Sequence, residues 1–86
     1  MPNNTAAKRI DVNGIVQGVG FRPFVYNLAN QYDLKGEVAN TAGGVSIHIE
    51  GPPQRIQAFE TDLAAKCPPL AHVVEISGRS ASVKPY

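Results

Sequence analysis

The sequence has no tryptophan and a single cysteine, Cys67, among its 86 residues. One cysteine cannot form a disulfide within the chain, and His48 and His72 do not supply the ligand spacing of a zinc site. No run approaches the roughly 20 apolar residues of a membrane span, and the first nine residues lack the apolar stretch of a signal peptide. These absences predict a cytoplasmic protein without a metal site and without a membrane partner.

Neither sign of charge dominates, since eight Lys and Arg residues oppose seven Asp and Glu residues and leave a net charge of +1. Nonspecific binding to nucleic acid or to an anionic membrane needs a strong basic excess. The sequence therefore predicts no nucleic-acid partner. A local anion site is still compatible with this balance, because one arginine and a few backbone amides can hold a phosphate at any net charge.

The spacing of apolar residues changes between a period of two and a period of 3.6 along the chain. Strands are predicted at residues 8–16, 34–40, 45–50 and 71–77, and helices from Phe21 and at residues 53–66. The order β-α-β-β-α-β is that of a ferredoxin-like α+β sandwich. Because crossovers of this kind are right-handed, we expect an antiparallel sheet with the two helices on one face.

Each predicted element has one apolar face. The first helix places six residues on its inner face: Phe21, Phe24, Val25, Leu28, Ala29 and Tyr32. The second directs three residues inward and three outward, namely Ile56, Phe59 and Leu63, and Gln57, Glu60 and Asp62. In the last strand, Val74 and Ile76 are predicted on the same face.

The positions of residues on the predicted strands disfavour two functions, catalysis by His48 and RNA binding. His48 alternates outward on its strand, so we expect a surface residue rather than a catalytic base. RNA-binding sheets of this architecture use aromatic side chains on the open face. The predicted strands contain no aromatic residue, which disfavours that function.

The segment after the first strand is rich in glycine and ends in a positive charge: Gln17-Gly18-Val19-Gly20-Phe21-Arg22. Glycines allow successive backbone amides to point into one concavity, and the start of a helix adds partial positive charge. The planar guanidinium of Arg22 can complete the grip on a dianionic phosphoryl group. The same residues also fit a tight strand-to-helix turn followed by an ordinary surface arginine.

Two longer patterns are more specific: Gly14-x-Val16-Gln17-Gly18-Val19-x-Phe21-Arg22, and Gly36-x-Val38-x-Asn40 followed by a turn. Together they resemble the acylphosphatase family, and the resemblance extends over about residues 8–77. It implies a hydrolase of acyl phosphates whose phosphate-binding residues are Gln17, Gly18, Val19, Gly20, Phe21 and Arg22. It also implies two catalytic residues, Arg22 as phosphoryl ligand and Asn40 as the group that orients the attacking water. Taken alone, Asn40 also fits the start of the turn at residues 41–44.

A narrower resemblance concerns two runs that contain proline: Arg22-Pro23-Phe24-Val25-Tyr26 and Cys67-Pro68-Pro69-Leu70-Ala71. Both are similar to the N-terminal acylphosphatase-like domain of the hydrogenase maturation carbamoyltransferases. This resemblance implies carbamoyl phosphate as substrate, in the first step of carbamoyl transfer for the cyanide ligands of nickel-iron hydrogenase. The implied partners are downstream domains of the same polypeptide and a hydrogenase maturation protein. Zinc, ATP and magnesium are implied only for the full-length enzyme, and no cofactor is implied for this domain.

The resemblance also sets expectations about the bounds of the domain. Residues 1–86 are expected to form a single acylphosphatase-like domain with an ordered core at about residues 8–77, excised from the N-terminus of a larger protein. The family fold ends with a fifth, edge strand, and the short segment from Ser80 to Tyr86 predicts that this strand is truncated or missing. Two alternatives stay open: a free-standing acylphosphatase, and a noncatalytic domain that binds phosphate or a partner.

Overall fold

The computed structural model describes residues 5–18, 20–68 and 71–82. The elements within them are β1 (Ala6–Ile15), α1 (Phe21–Gln31), β2 (Lys35–Asn40), β3 (Gly44–Gly51), α2 (Pro53–Ala65) and β4 (His72–Ala81). Neighbouring strands are antiparallel and follow the order β2-β3-β1-β4 across the sheet. The predicted α+β class and the βαββαβ order are confirmed.

The inner face of the sheet and the two helices enclose one apolar core. Alternate positions of the two central strands are buried, namely Ile10 and Val12 of β1 and Val45, Ile47 and Ile49 of β3. Six of the predicted inner-face residues are buried: Phe21, Val25 and Leu28 from α1, and Ile56, Phe59 and Leu63 from α2. The other three predicted for the first helix, Phe24, Ala29 and Tyr32, are partly buried and pack against this core. Because all of these side chains form a single cluster, both helices lie on the same face of the sheet.

The last strand is longer than the sequence predicts. β4 continues past residue 77 to Ala81 and pairs with β1 as far as Ala7. It is an edge strand whose residues after Ile76 are mostly exposed, so backbone pairing defines it rather than apolar spacing. The prediction of a truncated fifth strand falls partly on Ser80 and Ala81, which belong to β4, and partly on residues 83–86, which lie outside the described residues.

Val74 does not share the inner face with Ile76, and that prediction is wrong. The pairing of β1 with β4 changes register between Asn13 and Gly14, and Gly14 lies opposite Val73. A bulge of this kind adds one residue to the alternation of a strand. Val73 and Ile76 consequently pack against the core, while Val74 is 73% exposed.

His48 is buried, and the prediction of a surface residue is wrong. Its residue exposure is 1% although it lies on the sheet face opposite the helices. β3 is a central strand, and the strand register places Arg9 of β1 and Glu37 of β2 on either side of His48. The Nε2 atom lies 2.8 Å from a carboxylate oxygen of Glu50. Alternation identifies the face on which His48 lies, but not its burial, which depends on neighbours within β3 and on both adjacent strands.

Two residues predicted to point outward from α2 are half-buried and contact other elements. Glu60 accepts a hydrogen bond from Lys8 Nζ of β1 at 2.8 Å. Asp62 accepts one from the hydroxyl of Tyr32, at the end of α1, at 2.5 Å and lies 3.5 Å from Lys66 Nζ. The hydrogen bond from Tyr32 lowers the pKa of Asp62, and the bond to Asp62 raises the pKa of the Tyr32 hydroxyl.

The Tyr32→Phe substitution is expected to lower stability at neutral pH in a pH-dependent way. Because the folded-state pKa of Asp62 is lowered, its contribution to the free energy of unfolding is full above the ordinary carboxyl range, about pH 4. That contribution disappears as the pH falls through the lowered pKa. Urea unfolding of Tyr32→Phe should therefore show a reduced midpoint at neutral pH and a smaller difference from the wild type in acid.

The Tyr26→Phe substitution is the matched control, because Tyr26 lies on the same helix and is 65% exposed. Its unfolding midpoint should equal that of the wild type. An NMR titration should also show the pKa of Asp62 closer to its ordinary value in Tyr32→Phe. A stability loss that is independent of pH would contradict the role assigned to this hydrogen bond.

Candidate active site

The end of β1, the start of α1 and the turn between β2 and β3 lie at one end of the sheet. Asn13, near the end of β1, pairs with Gly44 at the start of β3. Asn40, the last residue of β2, pairs with Val45 of the same strand β3. The antiparallel pairing therefore brings the glycine-rich loop after β1 beside the turn that follows Asn40.

The loop between β1 and α1 depends on glycine for its backbone conformation. Gly18 has a φ of 74° and Gly20 a φ of 81°, values that residues with a side chain rarely adopt. A Cβ atom at either position would meet no atom within 4 Å outside the adjacent residues. The requirement for glycine therefore comes from the backbone angles and not from crowding. Val19, the predicted phosphate-binding residue between them, lies outside the described residues.

The start of α1 presents backbone amides at the positive end of the helix dipole. Gly20 is the N-cap residue, and its carbonyl accepts the N–H of Phe24 at 3.1 Å. Within the described part of this loop, no side chain caps the helix, and its first turn contains no acidic residue. The amides of Phe21 and Arg22 are thus not taken by a capping side chain. Phe21 itself is 1% exposed, so its ring anchors the loop in the core.

Arg22 and Asn40 lie at the same end and on the same side of the sheet. Arg22 is exposed in the first turn of α1, and Asn40 is exposed at the end of β2. Val38, two residues before Asn40, packs against the core beneath the helices. Because side chains two residues apart share a face of a strand, Asn40 lies on the face that carries α1. This placement suits a phosphoryl ligand and a group that orients water.

The side chain of Gln17 is directed toward the neighbouring turn. Its Nε2 atom donates hydrogen bonds to the carbonyl oxygens of Thr41 at 2.6 Å and Gly44 at 2.9 Å. The prediction of phosphate binding at Gln17 therefore applies to its backbone amide. The sequence analysis missed the two carbonyl partners, and no local signal identifies them because they belong to the β2–β3 hairpin, more than 20 residues further along the chain.

The remaining candidate side chains do not extend this site. His48 is buried in the middle of β3, and His72 is exposed on β4. Cys67 is half-buried against the core. Within residues 5–18, 20–68 and 71–82, no three His, Cys, Asp or Glu residues are grouped so that they could hold a metal ion. Neither helix in those ranges is long and apolar enough to cross a membrane.

Comparisons of the sequence and of the structure with known proteins find two kinds of relative, acylphosphatases and carbamoyltransferases. The sequence matches the acylphosphatase family over residues 8–85. It is 54% identical over 65 residues to the probable carbamoyltransferase HypF of Methanocaldococcus jannaschii, covering 76% of this chain and 8% of that protein. It is 41% identical over 81 residues to the acylphosphatase of Thermotoga petrophila, covering 93% of this chain and 89% of that protein.

Among solved structures, full-length HypF in its phosphate- and nucleotide-bound form matches with a TM-score of 0.95 and 43% sequence identity, over 100% of this chain and 11% of that one. The chain thus spans about a tenth of the length of the carbamoyltransferases it matches, and most of the length of the acylphosphatase. The family match includes both helices and nearly all of the sheet. On this basis, the chain belongs to the acylphosphatase family.

Proposed function

We propose that this domain binds acyl phosphates through their phosphoryl group and hydrolyses them, and that carbamoyl phosphate is its substrate within a larger polypeptide. The observation that carries hydrolysis is the placement of Arg22, the loop amides and Asn40 at one end of the sheet. Membership of the acylphosphatase family supports this reaction. The high identity to a probable carbamoyltransferase supports the choice of substrate.

The loop and Arg22 hold the phosphoryl group in this proposal. The amides of Gly18, Gly20 and Phe21 donate to phosphoryl oxygens, and the guanidinium of Arg22 neutralises their charge. Because the folded loop fixes these donors in advance, they stabilise developing charge without reorganising. The carboxylate of an acyl phosphate is a good leaving group, so positioning and charge neutralisation account for the catalysis.

Asn40 orients the attacking water in line with the leaving group. The water oxygen forms a bond to phosphorus as the bond from phosphorus to the acyl oxygen breaks. The products are inorganic phosphate and a carboxylate, which is carbamate when the substrate is carbamoyl phosphate. An amide is not basic near neutral pH, so Asn40 is not the general base. The proton of the water passes to a phosphoryl oxygen of the substrate.

The choice among acyl groups lies outside this site. The loop contacts the phosphoryl end that all acyl phosphates share, so the domain alone discriminates poorly among them. Carbamoyl specificity then comes from a neighbouring domain that captures the unstable carbamate before it disperses. We place this step first in carbamoyl transfer for the cyanide ligands of nickel-iron hydrogenase, in the cytoplasm, with a maturation protein as partner. Zinc, ATP and magnesium would serve the downstream domains.

A free-standing acylphosphatase is the second candidate. It is favoured by the alignment with the Thermotoga petrophila enzyme, of which this chain covers 89%. The chemistry at Arg22 and Asn40 is the same in both cases. The two candidates differ only in whether the carboxylate product is released or passed to another domain.

Inorganic phosphate is expected to bind at the loop in competition with acyl phosphates. In a titration followed by NMR, the backbone amides of Gly18, Gly20, Phe21 and Arg22 should shift most, because they line the proposed anion site. The amide of Gln54, in the first turn of α2 at the other end of the sheet, serves as an internal control. Shifts centred elsewhere, or none at millimolar phosphate, would remove this site from consideration.

Alanine substitutions at Arg22 and Asn40 are expected to have different effects on phosphate affinity and on hydrolysis. Arg22→Ala removes a charge that contacts the phosphoryl group in both ground and transition states, so phosphate affinity and hydrolysis should both fall. We expect a loss in kcat/KM of about 100- to 1000-fold, as for other preorganised donors. Asn40→Ala should reduce kcat about 100-fold or more by misplacing water, with little change in phosphate affinity.

These effects are measured as the rates at which each variant hydrolyses acetyl phosphate and carbamoyl phosphate. Arg55→Ala and Asn30→Ala are the matched controls. Arg55 is exposed on α2 and pairs with Asp33, and Asn30 is exposed near the end of α1. Both controls should retain wild-type rates. Full activity in Asn40→Ala would refute the mechanism, whereas phosphate binding without hydrolysis in the wild type would favour a noncatalytic domain.

In the intact carbamoyl-transferring polypeptide, Arg22→Ala is expected to abolish carbamoyl transfer and hydrogenase maturation while the downstream domains stay folded. The physical reason is that carbamate is formed only where the phosphoryl group is held. Maturation measured in cells, with Arg55→Ala as the control, tests this. Normal maturation in the Arg22→Ala strain would leave a free-standing acylphosphatase, or a purely structural domain, as the better interpretation.

A further inference from the structure

Gln17 makes two hydrogen bonds that link the loop between β1 and α1 to the β2–β3 hairpin. The same Nε2 atom donates to the carbonyl of Thr41 at 2.6 Å and to the carbonyl of Gly44 at 2.9 Å. A glutamine amide nitrogen carries two N–H groups, so both of its donors are used. These contacts occupy the polar end of a side chain that family resemblance places in the phosphate-binding segment.

The two acceptor carbonyls belong to the turn that begins directly after Asn40. The N–H of Thr41 donates to the Gly44 carbonyl at 2.9 Å, and the Thr41 carbonyl accepts from Gln17. Thr41 is therefore held on both sides of its α-carbon. Because Asn40 is the preceding residue, these bonds hold the backbone from which the Asn40 side chain extends at a set position relative to the loop.

Residues 41–43 of the turn are exposed, so packing contributes little to its position. A further hydrogen bond joins it to β1, from the Gly14 N–H to the Gly43 carbonyl at 2.9 Å. That bond connects the turn to β1. The bonds from Gln17 instead connect the turn to the loop between β1 and α1, one residue before Gly18.

We propose that Gln17 is a positioning residue that sets the separation between the phosphoryl-binding loop and Asn40. It acts by holding the carbonyls of Thr41 and Gly44, and its side chain does not bind the phosphoryl group. The expected effect on rate rests on the proposed function, in which Asn40 orients the attacking water, whereas the position of Asn40 relative to the loop can be measured without turnover. In-line attack is sensitive to displacements of about 1 Å, which can cost about 100-fold in rate.

The test compares Gln17→Met with the wild type, because methionine keeps an unbranched side chain of similar length and removes both donors without adding charge. Gln17→Asn retains the donors on a shorter stem and serves as a second variant if Gln17→Met folds poorly. Gln54→Met is the matched control, because Gln54 is exposed at the opposite end of the sheet. The readouts are kcat and KM for acetyl phosphate and the Kd of inorganic phosphate.

We expect Gln17→Met to reduce kcat about 10- to 100-fold, with a phosphate Kd within about threefold of the wild type and Gln54→Met unchanged. In an Asn40→Ala background the same substitution should have little further effect, because Gln17 influences the attacking water only through Asn40. A purely structural role would lower kcat equally in both backgrounds. That outcome, or a loss of phosphate affinity in step with kcat, would overturn the proposal.

A second measurement separates this proposal from the proposed function. In the wild type, phosphate should shift the side-chain amide of Asn40 as well as the amides of Gly18 and Gly20. In Gln17→Met, the glycine shifts should remain and the Asn40 shift should be lost. If the wild type binds phosphate with this pattern but hydrolyses no acyl phosphate, the catalytic function fails while the positional role of Gln17 stands. An Asn40 shift that persists in Gln17→Met would refute that role.

Discussion

β1 pairs with β3 from Ala6 opposite Gly51 to Asn13 opposite Gly44, and the core and the candidate site both depend on this pairing. On one face it aligns the buried side chains of Ile10 and Val12 with those of β3, against which the helices pack. At one end it brings the loop after β1 beside the turn before β3. Loss of the pairing would therefore remove the core and separate the loop from Asn40.

The electrostatic character of the site comes mainly from the backbone. Gly18 and Gly20 adopt positive φ values, and α1 begins directly after them with its first-turn amides at the positive end of the helix dipole. Arg22 adds one full charge at the same place. A net charge of only +1 is compatible with the proposed anion site, because its proposed donors are mainly peptide N–H groups whose direction is set by the fold.

Binding through the phosphoryl group alone, as proposed, would suit the same domain to two kinds of protein. The proposed contacts go to the phosphoryl group, which every acyl phosphate carries, and none of them depends on the acyl group. A domain of this kind can work alone or supply the first step for other domains. The relatives differ in length accordingly, since this chain spans 89% of an acylphosphatase and 8% of a probable carbamoyltransferase.

The amino-acid sequence alone determined the order of the elements, the buried faces of both helices and the glycine-rich loop that ends at Arg22. These are local properties, because periodicity and glycine angles act within one segment of chain. The burial of His48, the exposure of Val74 and the extension of β4 to Ala81 were decided by tertiary structure. Each depends on how the strands pair: His48 lies in a central strand between two others, the register shifts at Val74, and a weakly patterned segment pairs with β1. The contacts of Gln17 with Thr41 and Gly44 are of the same kind, since this side-chain donor meets the two backbone carbonyls only after the fold has brought the loop after β1 beside the β2–β3 hairpin.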